Sequence, residues 1–151
     1  MFETLSPENQ AMILARMETF PFHQGLGFKV VEAADGSAKA RIEIGPEHMN
    51  AGGLMHGGII YTLMDVTAYC AAMTVVPPDT NATTHDIHVQ VLRPVTRGSV
   101  LDISATVRKR GRSIFFIDVE AHVGNKVAAL ARVAKSLVPL PPGAFSAEGG
   151  A

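Results

Sequence analysis

From Ile59 to Val76 the chain reads IIYTLMDVTAYCAAMTVV, eighteen residues with a single charge, Asp65. That length is the lower limit for crossing a bilayer, but a carboxylate towards the middle opposes insertion by roughly 2.5–3.5 kcal/mol. No lysine or arginine flanks the stretch to anchor it. A helix apolar on every side is otherwise the core helix of a globular protein, and the stretch reads that way. It extends back to about Gly57, and Pro77-Pro78 stops it.

Working outward, two strand signals precede the helix, Phe28 to Ala34 and Ala38 to Ile44, around the turn Asp35-Gly36. Four follow it. Thr83 to Leu92 alternates, with His85, Ile87, Val89 and Val91 on one face and Asp86, His88 and Gln90 on the other. Val100 to Lys109 and Ser113 to Val123 flank the turn Arg110-Gly111-Arg112, and Gly124-Asn125 leads into Val127 to Val138. A short N-terminal helix over 6–18 starts at Ser6-Pro7, a capping hydroxyl followed by proline, and carries an apolar stripe of Ala11, Met12, Leu14, Ala15 and Met17 up to Pro21. A buried helix needs a wall that curves around it, and six mainly antiparallel strands supply one. The expectation is a single α+β domain over 1–138, followed by a loose Pro/Gly/Ala-rich tail over 139–151.

Composition narrows the function. The chain has 151 residues, 47% of them hydrophobic and 18% charged, enough to bury a core. A formal net charge of −1 provides no basic field for nucleic acid or anionic lipid. One cysteine, Cys70, excludes an internal disulfide and fits a reducing compartment. With no secretory signal visible and no membrane span, the expected location is the cytoplasm.

Asp65 is the most informative residue. A carboxylate on an apolar helix is costly unless it is paired, protonated or open to a cavity, and desolvation moves it towards the basicity a general base needs. Its structural alternative is satisfaction by a nearby hydroxyl, Thr62 or Tyr69. Just ahead of the helix lies Asn50-Ala-Gly-Gly-Leu-Met-His56-Gly57-Gly58. The first N–H groups of a helix lack internal partners and sit at the positive end of its dipole, so the Gly57 amide suits a developing oxyanion. Eight residues of helix put Asp65 about 12 Å from Gly57 and rotate it by roughly 80°. One substrate carbonyl cannot contact both, so a symmetric dimer is expected in which Asp65 of one chain serves the loop of another.

Asn50, then His56-Gly57-Gly58, then Asp65 in the helix, resembles the signature of hotdog-fold thioesterases of the phenylacetate-degradation (PaaI-like) group. Val91-Leu92-Arg93-Pro94, Gly98 and the run Arg108-Lys109-Arg110-Gly111-Arg112 resemble it too. The resemblance covers about Gly25 to Val138. It implies a helix wrapped by a curved sheet, edge-to-edge homodimers that assemble to a tetramer, and hydrolysis of acyl-CoA between subunits. On that basis Asp65 is the general base or nucleophile, and Gly57 polarises the thioester carbonyl. Asn50 positions the carbonyl or water, and His56 supports the loop. A threonine early in the strand after the helix faces the partner's aspartate: Thr83 or Thr84, with Thr83 favoured because adjacent strand residues point to opposite faces. Gly58, Tyr61 and Met64, together with Phe116, are placed around the acyl group. The run Arg108, Lys109, Arg110, Arg112 reads either as a grip on the coenzyme A phosphates or as a solvated turn, and Arg93 either as a nucleotide contact or as a strand cap.

No cofactor beyond the substrate's own coenzyme A is expected, and no metal, since His85 and His88 point to opposite faces and no Cys/His spacing matches a zinc site. Within the same fold the alternatives are an enoyl-CoA hydratase or dehydratase and a non-catalytic acyl-CoA-binding module. The first needs an acid/base pair, commonly with a histidine, and the second is expected to lack the carboxylate that this chain keeps.

Overall fold

The computed structural model describes residues 3–144. Helix α1 (Pro7–Thr19) is followed by α2 (Pro21–Gly25), the hairpin β1 (Lys29–Ala34) and β2 (Ser37–Glu43), a 3-10 turn (Pro46–His48) and the long helix α3 (Gly57–Met73). Strands β3 (Thr80–Val91), β4 (Val100–Arg110), β5 (Ile114–Val123) and β6 (Lys126–Pro139) complete the chain. All six strands form one antiparallel sheet in the order β1-β2-β4-β5-β6-β3. α3 lies against it and touches every strand. This is the hotdog architecture, α+β with a wrapped central helix.

Side-chain alternation explains the packing. Ala38, Ala40 and Ile42 of β2, Leu101, Ile103 and Ala105 of β4, and Phe115, Ile117, Val119 and Ala121 of β5 all turn inward onto α3. The small residues let the curved sheet approach the helix closely. Turn chemistry sets the register. Asp35 and Gly36 both take positive φ, +49° and +79°, as a two-residue hairpin requires. At Gly111 any Cβ would strike the Ile114 carbonyl oxygen.

Several expectations change. α3 ends at Met73, short of Val76, because a residue before proline is driven out of the helical region and the chain must straighten ahead of Pro77-Pro78. α3 is also not buried on every side. Tyr61 is 44% exposed, and the Asp65 side chain is 30% exposed. With half-buried Tyr69 they form a stripe at spacing four. On α1 the buried face is Ile13 and Met17, whereas Met12 points outward. Pro21 does more than end α1, since it opens α2 at a position where its missing N–H costs nothing. Pro139 pairs with Thr80, and Leu140 donates to the Asp79 carbonyl, so the start of the expected tail is hydrogen-bonded. Residues 145–151 of that tail lie outside the described residues. Among the described residues no helix is long and apolar enough to cross a membrane.

Candidate active site

The first half of the site is the entry to α3. Asn50 shapes the loop: its Oδ1 accepts from the N–H groups of Gly52 and Leu54 at 2.9 and 3.1 Å. Gly53 turns the chain back at φ +78°, and Met49 and Met55 close the loop as an antiparallel bridge. His56 is the N-cap. Its ring Nδ1 accepts from the Gly58 N–H at 3.0 Å, and its carbonyl accepts from Ile59 and Ile60 at 3.0 and 3.2 Å.

These bonds use the early donors of the helix selectively. The Gly57 N–H alone in that first turn has no partner among the described residues, and the helix dipole adds positive charge at it. Asn50, with its oxygen committed to the loop, keeps its Nδ2 hydrogens as donors. Asn50, Gly57 and Arg93 line one cleft of about 350 Å³, with Leu54, Ile60 and Val91 among its apolar walls. The Tyr61 hydroxyl lies beside Gly57, within van der Waals reach of where a Cβ would stand.

The second half lies about two turns further along α3 and belongs to three elements. Lys135 of β6 donates from Nζ to Asp65 Oδ1 at 2.7 Å and to Thr84 Oγ1 at 2.8 Å. Thr84 Oγ1 in turn stands 2.9 Å from both Asp65 oxygens and donates its hydroxyl proton to that carboxylate. Lys135 is 2% exposed and lies 5.7 Å from the Tyr69 ring centroid. Burial holds its ammonium below the ordinary lysine value, with the Asp65 carboxylate opposing that shift. Tyr69 donates to Asn81 Oδ1 at 2.9 Å, and burial raises its phenol above the usual tyrosine range.

This geometry corrects the sequence reading at the partners of Asp65 and at His85. Asp65 is not partnered by Thr62, which donates to the Gly58 carbonyl, nor by Tyr69; its partners are Lys135 and Thr84. Within its own chain Asp65 is reached by Thr84. A β-bulge between Thr84 and Asp86 breaks the alternation, so that Thr84 and Ile87 both pair across from inward residues of β6, Lys135 and Val133. Thr83 Oγ1 instead donates to the Ser136 carbonyl. For the same reason His85 leaves the Ile87–Val89 face, and its ring meets the Ser136 hydroxyl at 3.1 Å. Met64 is fully buried in the core, while Tyr61 and Phe116 are exposed.

Lys135 was missed because residues 127–138 were read only for strand character. A signal existed: by period two it shares a face with Val133, Ala131 and Ala129, a cation on an inward row.

The basic run divides. Arg108 is ion-paired to Asp118 at 3.0 Å, and Arg110 donates to the Val75 carbonyl at 2.7 Å and stacks over Phe115. Lys109 and Arg112 are exposed and make no ion pair among the described residues. Register places the run at the Asp65 end of the sheet, since Arg110, Phe115, Lys135 and Thr84 form one row across four strands. Arg93 lies at the other end, beyond Val91. Thr84 and Val91 are seven residues apart on β3, about 23 Å of strand.

A depression of about 680 Å³ lies on the opposite face of the sheet around Asp86, His88, Asp118 and Arg132 and contains neither half. Among the described residues no three His, Cys, Asp or Glu side chains converge to hold a metal ion.

A long helix wrapped by an antiparallel sheet, presenting an unpaired backbone donor at its start and a carboxylate further along, is a hotdog-fold arrangement, and the family it falls in is that of thioester hydrolases. The sequence pattern of the thioesterase superfamily matches residues 52–130, and the chain belongs to that superfamily. Human acyl-coenzyme A thioesterase 13 is 29% identical over 140 residues, 91% of this chain and 96% of that protein. A putative esterase of Caenorhabditis elegans is 33% identical over 123 residues, 80% of this chain and 71% of that protein. Among solved structures, a mutant of the phenylacetic acid degradation protein PaaI from Thermus thermophilus superposes with a TM-score of 0.72 at 28% identity, covering 77% of this chain and 97% of that one.

Proposed function

We propose that the chain hydrolyses acyl-CoA thioesters at sites built between two copies of itself. The observation that carries this reading is the separation of its two halves. The Gly57 donor, Asn50 and Arg93 share a cleft that Asp65 does not line, and Asp65 stands with Thr84 towards the other end of β3. β3 is an edge of the sheet with its outer side unpaired. Pairing two such edges antiparallel about a two-fold axis brings the Gly57 end of one chain against the Asp65 end of the other, twice. The relationship to acyl-coenzyme A thioesterase 13 supports the substrate class.

In this site the thioester oxygen accepts from the Gly57 N–H and Asn50 Nδ2, which stabilise it best when it becomes an anion. Asp65 takes the proton of an attacking water as a C–O bond forms at the carbonyl carbon, or attacks that carbon itself to give an anhydride that water opens. The C–S bond then breaks, and the thiolate of coenzyme A leaves and takes up a proton. Thr84 orients the carboxylate. Lys109 and Arg112, the uncommitted cations at the Asp65 end, meet the phosphates, and Arg93 reaches the substrate from the Gly57 side. The acyl group is a small aryl or medium chain, and dimers pair further into a tetramer. No cofactor takes part.

Thiol release from a panel of acyl-CoAs, with Asp65→Asn alongside, tests the chemistry: release that this variant abolishes while binding persists is expected, and no release from any acyl-CoA overturns it. Mixed dimers test the shared site. Gly57→Pro and Asp65→Asn chains are each impaired, but equal amounts refolded together give half mixed dimers with one intact site each, about a quarter of wild-type activity. No recovery above the parents overturns a site shared between chains.

A further inference from the structure

The triangle Asp65–Thr84–Lys135 contains a group to which the hydrolysis above assigns no part. A buried lysine is expensive: its ammonium loses its water, and an unbranched apolar side chain of the same length would fill the space without that penalty. Lys135 makes two bonds, and both go to the presumed chemistry, one to Asp65 Oδ1 and one to Thr84 Oγ1. The second bond has a consequence for direction. A threonine hydroxyl has one proton, and an ammonium can only donate, so Thr84 accepts from Lys135 and must spend its own proton on Asp65. Lys135 binds Oδ1 alone, and the single Thr84 proton is shared between Oδ1 and Oδ2, so Oδ2 is the less committed oxygen.

We propose that Lys135 is a positioning residue of the reaction, whose ammonium holds Asp65 Oδ1, locks the Thr84 hydroxyl towards the carboxylate, and leaves Oδ2 as the oxygen that meets the incoming water. The proposal rests on the hydrolase reading. The ionisable groups that face Lys135 are Asp65, Tyr69 and Cys70 from α3; Thr84 approaches from β3, and Phe115 pairs with it from β5. Burial raises the Tyr69 phenol and pushes the Cys70 thiol up to about 12, so near neutral pH neither is an anion that competes for the ammonium.

The decisive readout is the pH profile of kcat/KM for thiol release. In Lys135→Met the acid limb moves to higher pH, because the carboxylate has lost the adjacent cation, while KM changes little. Lys135→Arg keeps the charge, and its acid limb stays close to that of the wild type. An acid limb that does not move in Lys135→Met overturns the proposal. Should that variant fail to fold, the coupling is read from the other side, since pairwise coupling is reciprocal. The Nζ nitrogen resonance of Lys135, followed by NMR, titrates at lower pH in Asp65→Asn than in wild type, and an unchanged midpoint overturns the proposal. A wild-type protein that releases no thiol from any acyl-CoA sinks the hydrolase reading instead, and the Nζ titration still decides the coupling.

Discussion

The first turn of α3 and the middle of α3 do their work with different materials. At Gly57 the functional group is a backbone N–H, left unpaired because the His56 ring and carbonyl occupy its neighbours. A backbone N–H donates without titrating, and the neighbouring Gly58 N–H is held by His56 Nδ1. At Asp65 the functional groups are charged or hydroxylic side chains from α3, β3 and β6, and each holds the next. The first region is stiff because it is made of main chain. The second is tuned because it is made of charge in a partly desolvated place. A transition state that develops negative charge on oxygen while a water loses a proton needs one of each, a fixed donor and an adjustable base.

Breaking the second region should have the larger effect. Asp65→Asn is expected to lower kcat for thiol release by about 10²–10⁴-fold, the range for a lost general base, with substrate binding retained. A comparable rate in the variant would remove Asp65 from the chemistry. Gly57→Pro attacks the first region with little collateral damage. Proline suits the first position of a helix, the extended backbone of His56 suits the residue before proline, and a Cβ there meets only ordinary contacts. A loss of about 10²–10³-fold in kcat at nearly unchanged Tm is expected. Equal activity would mean that the oxyanion is held elsewhere.

Thr84→Val against Thr83→Val sharpens the picture within the second region. Removing the Thr84 hydroxyl leaves Asp65 with Lys135 alone, and about a tenfold loss in kcat is expected, in line with one hydrogen bond to a charged group. A smaller loss is expected at Thr83, and the reverse ranking would show that the bulge does not set the active face. Cys70 gives the smallest effect. Its thiol, raised to about 12 from 9.0 by burial, stays protonated in the folded protein while the unfolded chain ionises. Stability from this group is complete below pH 9 and falls between about pH 9 and 12, by at most ~1.4 kcal/mol per pH unit. Cys70→Ala should flatten that alkaline loss in denaturant titrations and leave activity at neutral pH nearly untouched.

Much of this was legible in the residues alone. An apolar run closed by Pro77-Pro78, with strand alternation on both sides, was enough for the wrapped helix. His56-Gly57-Gly58 announced its own geometry, because capping and turning are contacts between residues two to four apart. Helix rise alone separated Gly57 from Asp65 and asked for a second chain. The misreadings have a common cause. Strict alternation put His85 with Ile87 and Val89, a row that a single bulge breaks, and Thr62 and Tyr69 were offered to Asp65 because they are near it in the chain.

The order of residues therefore determined where the helix begins and which amide it leaves unpaired, since those hydrogen bonds close over a few positions. Only the folded sheet decided what surrounds the carboxylate. Lys135 stands seventy positions from Asp65, and strand registry, not proximity along the chain, brings its ammonium to Asp65.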